Sequence, residues 1–280
     1  MRRRLDVPVE RRGTAGDILR RRGVSARLLS QLKKLPDGIM LGGVPCRCTQ
    51  TVSEGQCITV LFPDETNPAC RCERYVPVLY EDEDYIVFDK PPFLPVHRSA
   101  GHGGDTLENI SPQNFGYHVI NRLDRDTTGA VLVAKHAFAV TDVKKIYTAI
   151  CCGHIEAPMH IDMPIARESG SLMRRRADTD GAAAVTDVKP LAYNNGFTLA
   201  DMFLSTGRTH QIRVHMSYSG YPLAGDTMYG SDRSLSRQAL HCRKLTFVHR
   251  MTGKPVTVTS PLPEDMLSVI KIDNIASLWL

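Results

Sequence analysis

The chain has 280 residues and a formal net charge of +5, from 35 Lys and Arg against 30 Asp and Glu. Its 42% hydrophobic and 23% charged residues are typical of a globular protein that buries a full core, which excludes a wholly disordered chain. The sequence contains no run of the roughly 18 apolar residues that a transmembrane helix needs. No apolar segment follows Arg2, Arg3 and Arg4, as it would in a signal peptide. We therefore expect a cytoplasmic protein that does not bind membranes.

Positive charge is concentrated at the N-terminus. Residues 1–34 contain eleven Lys and Arg and three acidic residues, an excess of eight that is larger than the net charge of the chain. A basic end ahead of a near-neutral body is typical of a polyanion-binding appendage, although a solvated basic tail would have the same composition. The candidates for contacts with a polyanion are Arg20, Arg21, Arg22, Lys33 and Lys34.

Residues 12–62 are predicted to form a small basic module. Thr14 and Ser25 are in position to cap two short helices, and the second helix has leucines on one face. A strand and a tight turn are predicted over 39–44, and a further strand over 58–62. Two short basic helices followed by a small sheet resemble the alpha-L RNA-binding module of ribosomal and RNA-modifying proteins. This resemblance implies an RNA partner.

Residues 63–78 are predicted to be a linker, and 79–280 a larger domain. Helices are predicted to be fewer than strands, around 136–145 and over 209–219, and a hairpin turn is predicted over 251–254. Apolar or alternating runs predict strands over 85–88, 118–123, 130–134, 147–152, 198–205, 245–249 and 256–260. Because helices do not alternate with strands, the pattern favours an α+β fold around a mixed, mostly antiparallel sheet over a doubly wound one.

The chain has eight cysteines, at positions 46, 48, 57, 70, 72, 151, 152 and 242. In the pairs 46/48 and 70/72 one residue separates the cysteines, whereas a structural zinc knuckle has two. We interpret the cysteines as thiols that pack as small hydrophobic residues, and we predict no metal. A zinc-dependent RNA-modifying enzyme is the alternative that these pairs leave open.

The densest polar cluster in the sequence is residues 121–129, between two predicted strands. Arg122 and Arg125 flank Asp124, and arginines keep a neighbouring carboxylate ionised, as a nucleophile or base must be. The same arginines would attract phosphates. A charged turn between strands would have a similar composition, so the cluster alone leaves both interpretations open.

A second polar cluster, 206–215, opens the predicted helix at 209–219. Arg208 and Arg213 are five residues apart, so they lie on different parts of the helix surface and can serve different partners. His210 and His215 have the same spacing, which does not suit two metal ligands on one helix face. We interpret both histidines as structural or RNA-contacting.

Residues 121–135 resemble the signature of the RluA-type pseudouridine synthases, in particular the run from Asn121 to Gly129. Four further segments are similar to motifs of this family in order and spacing, over 80–97, 145–153, 204–230 and 238–263. The resemblance covers about 75–270. It implies a pseudouridine synthase, an isomerase that converts specific uridines in RNA to pseudouridine without a cofactor or a metal.

The resemblance also implies roles for single residues. Asp124 falls on the essential aspartate, which attacks the ribose or deprotonates it so that the uracil–ribose bond breaks. Tyr147 falls on the aromatic residue that stacks on the uracil and acts as a base late in the reaction. Arg213 falls on the arginine that pairs with the catalytic carboxylate, and Arg208 is a second candidate for that role or for a phosphate contact. Arg122 falls on the side chain that fills the gap left by the flipped nucleotide.

The sequence departs from the family pattern at two places. Asn121 stands where the family usually has His, and the segment 181–184, around Ala182, lacks the lysine that many members carry before their Ala-Val-Thr segment. The basic module favours ribosomal RNA of the large subunit as the substrate, with a tRNA stem-loop as the alternative. A catalytically silent RNA-binding protein on the same fold is a further alternative. We expect a monomer.

Overall fold

The computed structural model describes residues 3–98, 104–272 and 278 of the chain. The fold is α+β. Its elements, in chain order, are β1 (Arg4–Pro8), β2 (Gly13–Thr14), α1 (Ala15–Arg21), α2 (Ala26–Leu32), β3 (Ile39–Leu41), β4 (Val44–Pro45), β5 (Thr51–Val52), β6 (Cys57–Leu61), β7 (Val78–Glu81), β8 (Tyr85–Lys90), α3 (Leu107–Ile110), β9 (His118–Val119), β10 (Thr128–Ala134), a 3-10 turn (Ala137–Ala139), β11 (Val143–Cys152), β12 (Met159–Asp162), β13 (Ile165–Arg167), β14 (Arg175–Ala177), β15 (Val185–Asn194), β16 (Phe197–Leu204), α4 (Gln211–Tyr218), β17 (Leu240–Val248), β18 (Pro255–Thr259) and α5 (Glu264–Ile270).

The N-terminal module, residues 3–62, is a four-stranded sheet in the order β1-β6-β3-β4 that shares one apolar core with α1 and α2. Both predicted helix caps are confirmed: Thr14 Oγ1 accepts from the Asp17 amide, and Ser25 Oγ accepts from the Leu28 amide. The predicted tight turn joins β3 to β4 through Gly42 and Gly43, both at positive φ. The sheet includes β1, so it begins before residue 12, where the predicted module starts.

The larger part of the chain is built on a ten-stranded central sheet. Its main order is β12-β15-β16-β11-β17-β10-β8-β7, with β18 paired to β17 and β9 paired to β10. All its pairs are antiparallel except β10 with β17, so the predicted mixed, mostly antiparallel sheet is confirmed. At the parallel pair, Gly129 has φ +107 and a Cβ there would lie 2.4 Å from the Cys242 carbonyl oxygen. Glycine therefore lets the loop that precedes β10 enter this strand against β17.

Two predicted elements are wrong in extent or type. The helix predicted over 136–145 is only a 3-10 turn, because Val143 onward pairs with β17 and the sheet overrides the local pattern. The strand predicted over 118–123 ends at Val119. One further backbone hydrogen bond joins the Ile120 amide to the Leu132 carbonyl oxygen, and the Asn121 side chain then takes the place of backbone pairing with β10. The long strand β15 was not predicted. Its Pro190 argues against a strand interior, and the structure accommodates it at a bulge beyond the end of β12.

The N-terminal module is docked onto the central sheet by an ion pair and an aromatic stack. Arg3 donates Nε and Nη2 to the two carboxylate oxygens of Asp84, at 2.7 and 2.8 Å. The ring of Phe62 stacks on Phe138, with centroids 5.0 Å apart. Phe138 is buried with the core of the module rather than with that of the sheet, so the two parts share packed apolar surface.

The predicted linker, 63–78, lies along the larger domain and is tied to it by side-chain hydrogen bonds. Glu65 contacts His118 and accepts from the Ala137 amide at 2.9 Å. The side-chain nitrogen Nδ2 of the buried Asn67 donates to the Glu108 carbonyl oxygen at 2.7 Å. These contacts fix the path of the chain between the two parts, because buried polar groups are costly to leave unpaired.

We predict that Asp84→Asn destabilises the protein at neutral pH by about 2 kcal/mol. Burial opposes the ionised form, but hydrogen bonds from His136 and Arg3 outweigh it and lower the pKa of Asp84 to about 2. An unfolded Asp takes up its proton near pH 4, so this contribution is present at neutral pH and is lost as the pH falls from about 4 to 2. Chemical denaturation at several pH values measures it.

The control for this prediction is Asp142→Asn, at an exposed aspartate. We expect it to leave both the stability at pH 7 and the acid profile at their wild-type values. A wild-type free energy of unfolding for Asp84→Asn at pH 7 would show that the Arg3–Asp84 pair does not stabilise the docking of the module.

Candidate active site

Asp124 lies in the loop between β9 and β10, and a buried lysine holds this loop in place. The Lys90 side chain donates to the carbonyl oxygens of Pro91, Leu94 and Arg125 at 2.8, 2.9 and 2.8 Å. Burial lowers the pKa of Lys90 to about 7. Because the three carbonyls face the three protons of an ammonium group, the amine ties the residue after Asp124 to the turn that follows β8.

Asn121 fixes the other end of the loop. Its Nδ2 donates to the Ala130 carbonyl oxygen at 3.0 Å, and its Oδ1 accepts from the Leu132 amide at 2.8 Å. Both hydrogen bonds are buried and both partners lie in β10. Asparagine in place of the usual histidine therefore has its donor and its acceptor satisfied, and the chain leaves the strand pairing just before Asp124.

Arg213, in α4, connects Asp124 to a buried carboxylate that the sequence analysis did not single out. Its Nη1 lies 3.4 Å from Asp124 Oδ2, so the predicted contact exists but is long. Its Nε and Nη2 bind the two oxygens of Asp226 at 2.7 and 2.9 Å, and the Asp226 side chain is fully buried. Burial opposes the charge of Arg213, but Asp226 and then Asp124 outweigh it and raise the pKa of Arg213 above its ordinary value.

His210 and Tyr229 complete the surroundings of Asp124. His210 Nε2 lies 3.8 Å from Asp124 Oδ2, and its Nδ1 lies 2.9 Å from the Tyr229 hydroxyl oxygen. The guanidinium of Arg213 lies over the Tyr229 ring, 5.0 Å from its centroid. The Asp124 carboxylate thus faces one permanent cation and one imidazole, both from the start of α4.

Tyr147, in β11, lines the same pocket as Asp124 and Arg213. Its side chain is buried, and burial, with Cys242 and Asp124 nearby, raises the pKa of Tyr147 well above its ordinary value. The group is therefore a protonated phenol at neutral pH. This supports a stacking role, whereas a role as a base would first require its ionisation.

A cleft of about 680 Å³ leads to this pocket, and arginines line it. Arg122 is exposed on its wall, while Arg125 forms two hydrogen bonds to Asp126 at 2.7 and 3.0 Å. Arg208 lies on the rim and donates Nε to the Ala183 carbonyl oxygen at 3.0 Å, next to the segment that lacks the family's lysine. Arg98 and Lys145, which the sequence analysis did not single out, also line the cleft.

The basic residues of the N-terminal module divide into two groups. Arg20, Arg21, Lys33 and Lys34 are exposed, and Arg20 pairs with Asp17 at 2.7 Å. Arg22 instead donates to the carbonyl oxygens of Arg250 and Met251, at 3.2 and 3.3 Å. Arg22 therefore contributes to docking of the module, and the exposed group is available to a polyanion.

Within residues 3–98 and 104–272, no cysteines come together as possible ligands of a metal ion. The one group of possible metal ligands found there is Asp82, Asp84 and His249, and Arg3 already bonds both oxygens of Asp84. All eight cysteines are free thiols. The zinc hypothesis therefore has no cysteine cluster to support it in this part of the chain. In the same part, the helices are too short or too polar to cross a membrane.

The chain is similar to known RNA-modifying enzymes. Residues 84–218 match the model of the family described as RNA pseudouridylate synthase. A Bacillus subtilis protein named uncharacterized RNA pseudouridine synthase YjbO is 37% identical over 90% of this chain and 96% of its own length. Ribosomal large subunit pseudouridine synthase D of Pseudomonas aeruginosa is 38% identical over 70% of this chain and 71% of its own length.

A solved structure shows the same fold. Human RNA pseudouridylate synthase domain containing 1 superposes with a TM-score of 0.58 at 22% identity, over 74% of this chain and 94% of that one. Fold, site and sequence similarity together define an RNA-modifying isomerase. The chain belongs to the RNA pseudouridine synthase family, and the RluA-type resemblance seen in its motifs is confirmed.

Three residues of the site carried no role in the sequence analysis: Lys90, Asp226 and Tyr229. All three lie in segments that resemble family motifs, so their place in a motif was the sign in the sequence that they have a role in the site. Their roles depend on partners 35, 13 and 19 residues away, at Arg125, Arg213 and His210. Local spacing does not reveal such partners.

We predict that Asp226→Asn both destabilises the protein and lowers its activity. Removing one partner of a buried ion pair leaves an uncompensated charge, here on Arg213, at a cost of about 3 kcal/mol. The guanidinium then also loses the contact that directs it at Asp124. Thermal or chemical denaturation gives the first effect, and the rate of pseudouridine formation gives the second.

Glu168→Gln is the control, because Glu168 pairs with Arg174 at 3.2 Å at the surface, with 38% and 49% of the two side chains exposed. Exposed pairs contribute at most about 1 kcal/mol, so we expect wild-type stability and rate from this variant. Equal losses of stability in the two variants would contradict the role assigned to the buried pair.

Proposed function

We propose that this protein converts specific uridines of large-subunit ribosomal RNA to pseudouridine, with Asp124 as the catalytic carboxylate. One observation carries the proposal: Asp124, Tyr147 and Arg213 come from a loop, a strand and a helix, and line one pocket at the end of a basic cleft. Three residues far apart in sequence that converge in this way support the roles that the motifs imply.

The proposed reaction is an isomerisation that needs no external reagent. Asp124 either attacks C1′ of the ribose, or removes a ribose proton, and the bond from C1′ to N1 of uracil breaks with its electron pair on the base. The uracil turns, and a bond forms between C5 and C1′ as the link to Asp124 breaks or the ribose proton returns. The C5 proton leaves to solvent, and N1 gains a proton.

A uridine inside a folded RNA must first leave its stack. Flipping costs a few kcal/mol, and stacking of the base on Tyr147 can recover about 1–3 kcal/mol of this. Arg122, exposed on the wall of the cleft, is in position to occupy the vacated space. The protonated phenol of Tyr147 fits this role without a change of charge.

Ribosomal RNA of the large subunit is the favoured substrate for two reasons. Relatives from Pseudomonas aeruginosa and Xanthomonas campestris, 38% and 33% identical, carry the name ribosomal large subunit pseudouridine synthase D. The exposed basic face of the module, with Lys33 beside a groove that Arg47 also lines, suits a structured polyanion. A role in RNA binding for this basic face assumes that the module, proposed over 12–62, is of the alpha-L type.

We also propose that the enzyme is cytoplasmic and monomeric. Every side chain assigned to the reaction comes from one chain, so the site does not require a second copy. Ribosomal RNA of a bacterial type is made and assembled in the cytoplasm, which agrees with the expectation from the sequence.

We predict that the purified protein releases tritium from a large-subunit ribosomal RNA transcript labelled at C5 of uridine. The C5 hydrogen must leave during isomerisation, so its release measures turnover. Asp124→Asn keeps the size of the side chain and removes the charge, and we expect no release above background.

Asp180→Asn, at an exposed aspartate, is the control and should release tritium at the wild-type rate. A labelled tRNA transcript distinguishes the substrate classes: release from tRNA alone would redirect the proposal to a tRNA synthase. Release by Asp124→Asn at the wild-type rate would disprove the role of Asp124.

A further inference from the structure

We propose that His210 is a positioning residue that holds one oxygen of the Asp124 carboxylate and leaves the other free for the ribose. The inference rests on the proposed function, in which Asp124 is the reacting group. It goes further by assigning a task to a histidine whose spacing in the sequence suggested only a structural or RNA-contacting role.

Two donors converge on the same oxygen of Asp124. Arg213 Nη1 lies 3.4 Å from Oδ2, and His210 Nε2 lies 3.8 Å from Oδ2. A carboxylate anchored through one oxygen can rotate little about its side-chain bonds, and the second oxygen then keeps one direction. Both contacts are long in the free protein, and catalytic hydrogen bonds commonly shorten when the substrate binds.

The surroundings of His210 select the tautomer that this role requires. The Arg175 amide donates to the Tyr229 hydroxyl oxygen at 2.8 Å, so the hydroxyl proton itself is left for His210 Nδ1, 2.9 Å away. An imidazole that accepts at Nδ1 carries its proton on Nε2. That nitrogen faces Asp124, and a carboxylate can only accept, so both ends of the ring favour the same tautomer.

The imidazole is neutral in this arrangement. Burial lowers the pKa of His210 below its ordinary value, although the Asp124 carboxylate opposes the shift. Arg213 and Arg175, which also face the ring, act in the same direction as burial. Nε2 therefore presents a neutral N–H to Asp124 at 3.8 Å, which becomes a hydrogen bond when the two groups close on the substrate, and Arg213 supplies the permanent charge.

The backbone of His210 is in a conformation that costs energy. It has φ 58 and ψ 19, in the left-handed region, directly before α4 begins. Glycine adopts this region without steric cost, so a position that served only to start the helix would not need a side chain here. Backbone strain of this kind tends to persist at functional sites.

Two variants with equal backbone strain test the proposal. In His210→Gln the amide oxygen can accept from Tyr229 and the amide nitrogen can donate to Asp124, whereas His210→Leu offers neither. In the tritium-release assay with the labelled large-subunit transcript, we expect His210→Leu to lower kcat by about 10- to 100-fold with KM within about twofold of wild type. We expect His210→Gln to recover most of the rate.

A spectroscopic measurement tests the tautomer without RNA. Nitrogen-15 NMR of the histidine side chains in the full chain distinguishes the two neutral tautomers, and the His210 signal is identified by its loss in His210→Gln. We expect the tautomer protonated on Nε2 in the wild type and a mixture in Tyr229→Phe, which lacks the hydroxyl proton. A ring of His210 protonated on Nδ1 in the wild type would overturn the proposal.

The outcomes separate this inference from the proposed function. If Asp124→Asn is inactive and His210→Leu keeps the wild-type kcat, the role of His210 is wrong and that of Asp124 stands. If His210→Gln is as slow as His210→Leu, with both variants folded to the wild-type melting temperature, the donor role is wrong. If Asp124→Asn keeps the wild-type rate, the proposed function itself fails.

Discussion

The buried ion pair between Arg213 and Asp226 is the interaction on which the rest of the site depends. Both side chains are almost fully removed from water, and they are joined by two hydrogen bonds of 2.7 and 2.9 Å. An isolated guanidinium in this position would be very costly, so Asp226 is what allows a permanent positive charge beside Asp124. The amides of Met228 and Tyr229 in turn donate to Asp226, which fixes the carboxylate from the other side.

The central sheet supplies the frame for this pair. The single parallel contact in the sheet, between β10 and β17, brings the start of β10 beside the start of β17, and the loop that carries Asp124 enters there. Lys90 anchors the loop after Asp124, and Asn121 anchors it before Asp124. The loop is thus anchored on both sides of Asp124 in sequence, and Arg213 faces the carboxylate across the pocket. This arrangement fits the catalytic role that we propose for Asp124.

Local signals in the sequence were sufficient for much of this architecture. The caps at Thr14 and Ser25 and the turn at Gly42-Gly43 depend on neighbouring residues, and all were predicted correctly. The run from Asn121 to Gly129, with four other segments, was enough to identify the family, and it contains the aspartate for which we propose the catalytic role. The 136–145 helix was wrong because the conformation of Val143–Cys152 is decided by pairing with β16 and β17, distant in sequence.

The partners of the site residues could not be predicted for the same reason. Arg213 was expected to pair with Asp124, but its shorter hydrogen bonds are to Asp226, and only the three-dimensional path of the chain reveals this. Arg22 was grouped with the RNA-binding residues, yet it contacts the 250–251 turn across 228 residues of sequence. Composition gives the charge of such residues, whereas their partners depend on the tertiary fold.

The central claim is that Asp124 makes this protein an RNA-modifying enzyme with a defined ribosomal target. The most direct measurement is a map of pseudouridines in total RNA from a deletion strain, complemented either with the wild type or with Asp124→Asn. We expect at least one site in large-subunit ribosomal RNA to disappear in the deletion strain and to return only with the wild type. A site that returns equally with Asp124→Asn, or a large-subunit map that the deletion leaves unchanged, would contradict the account.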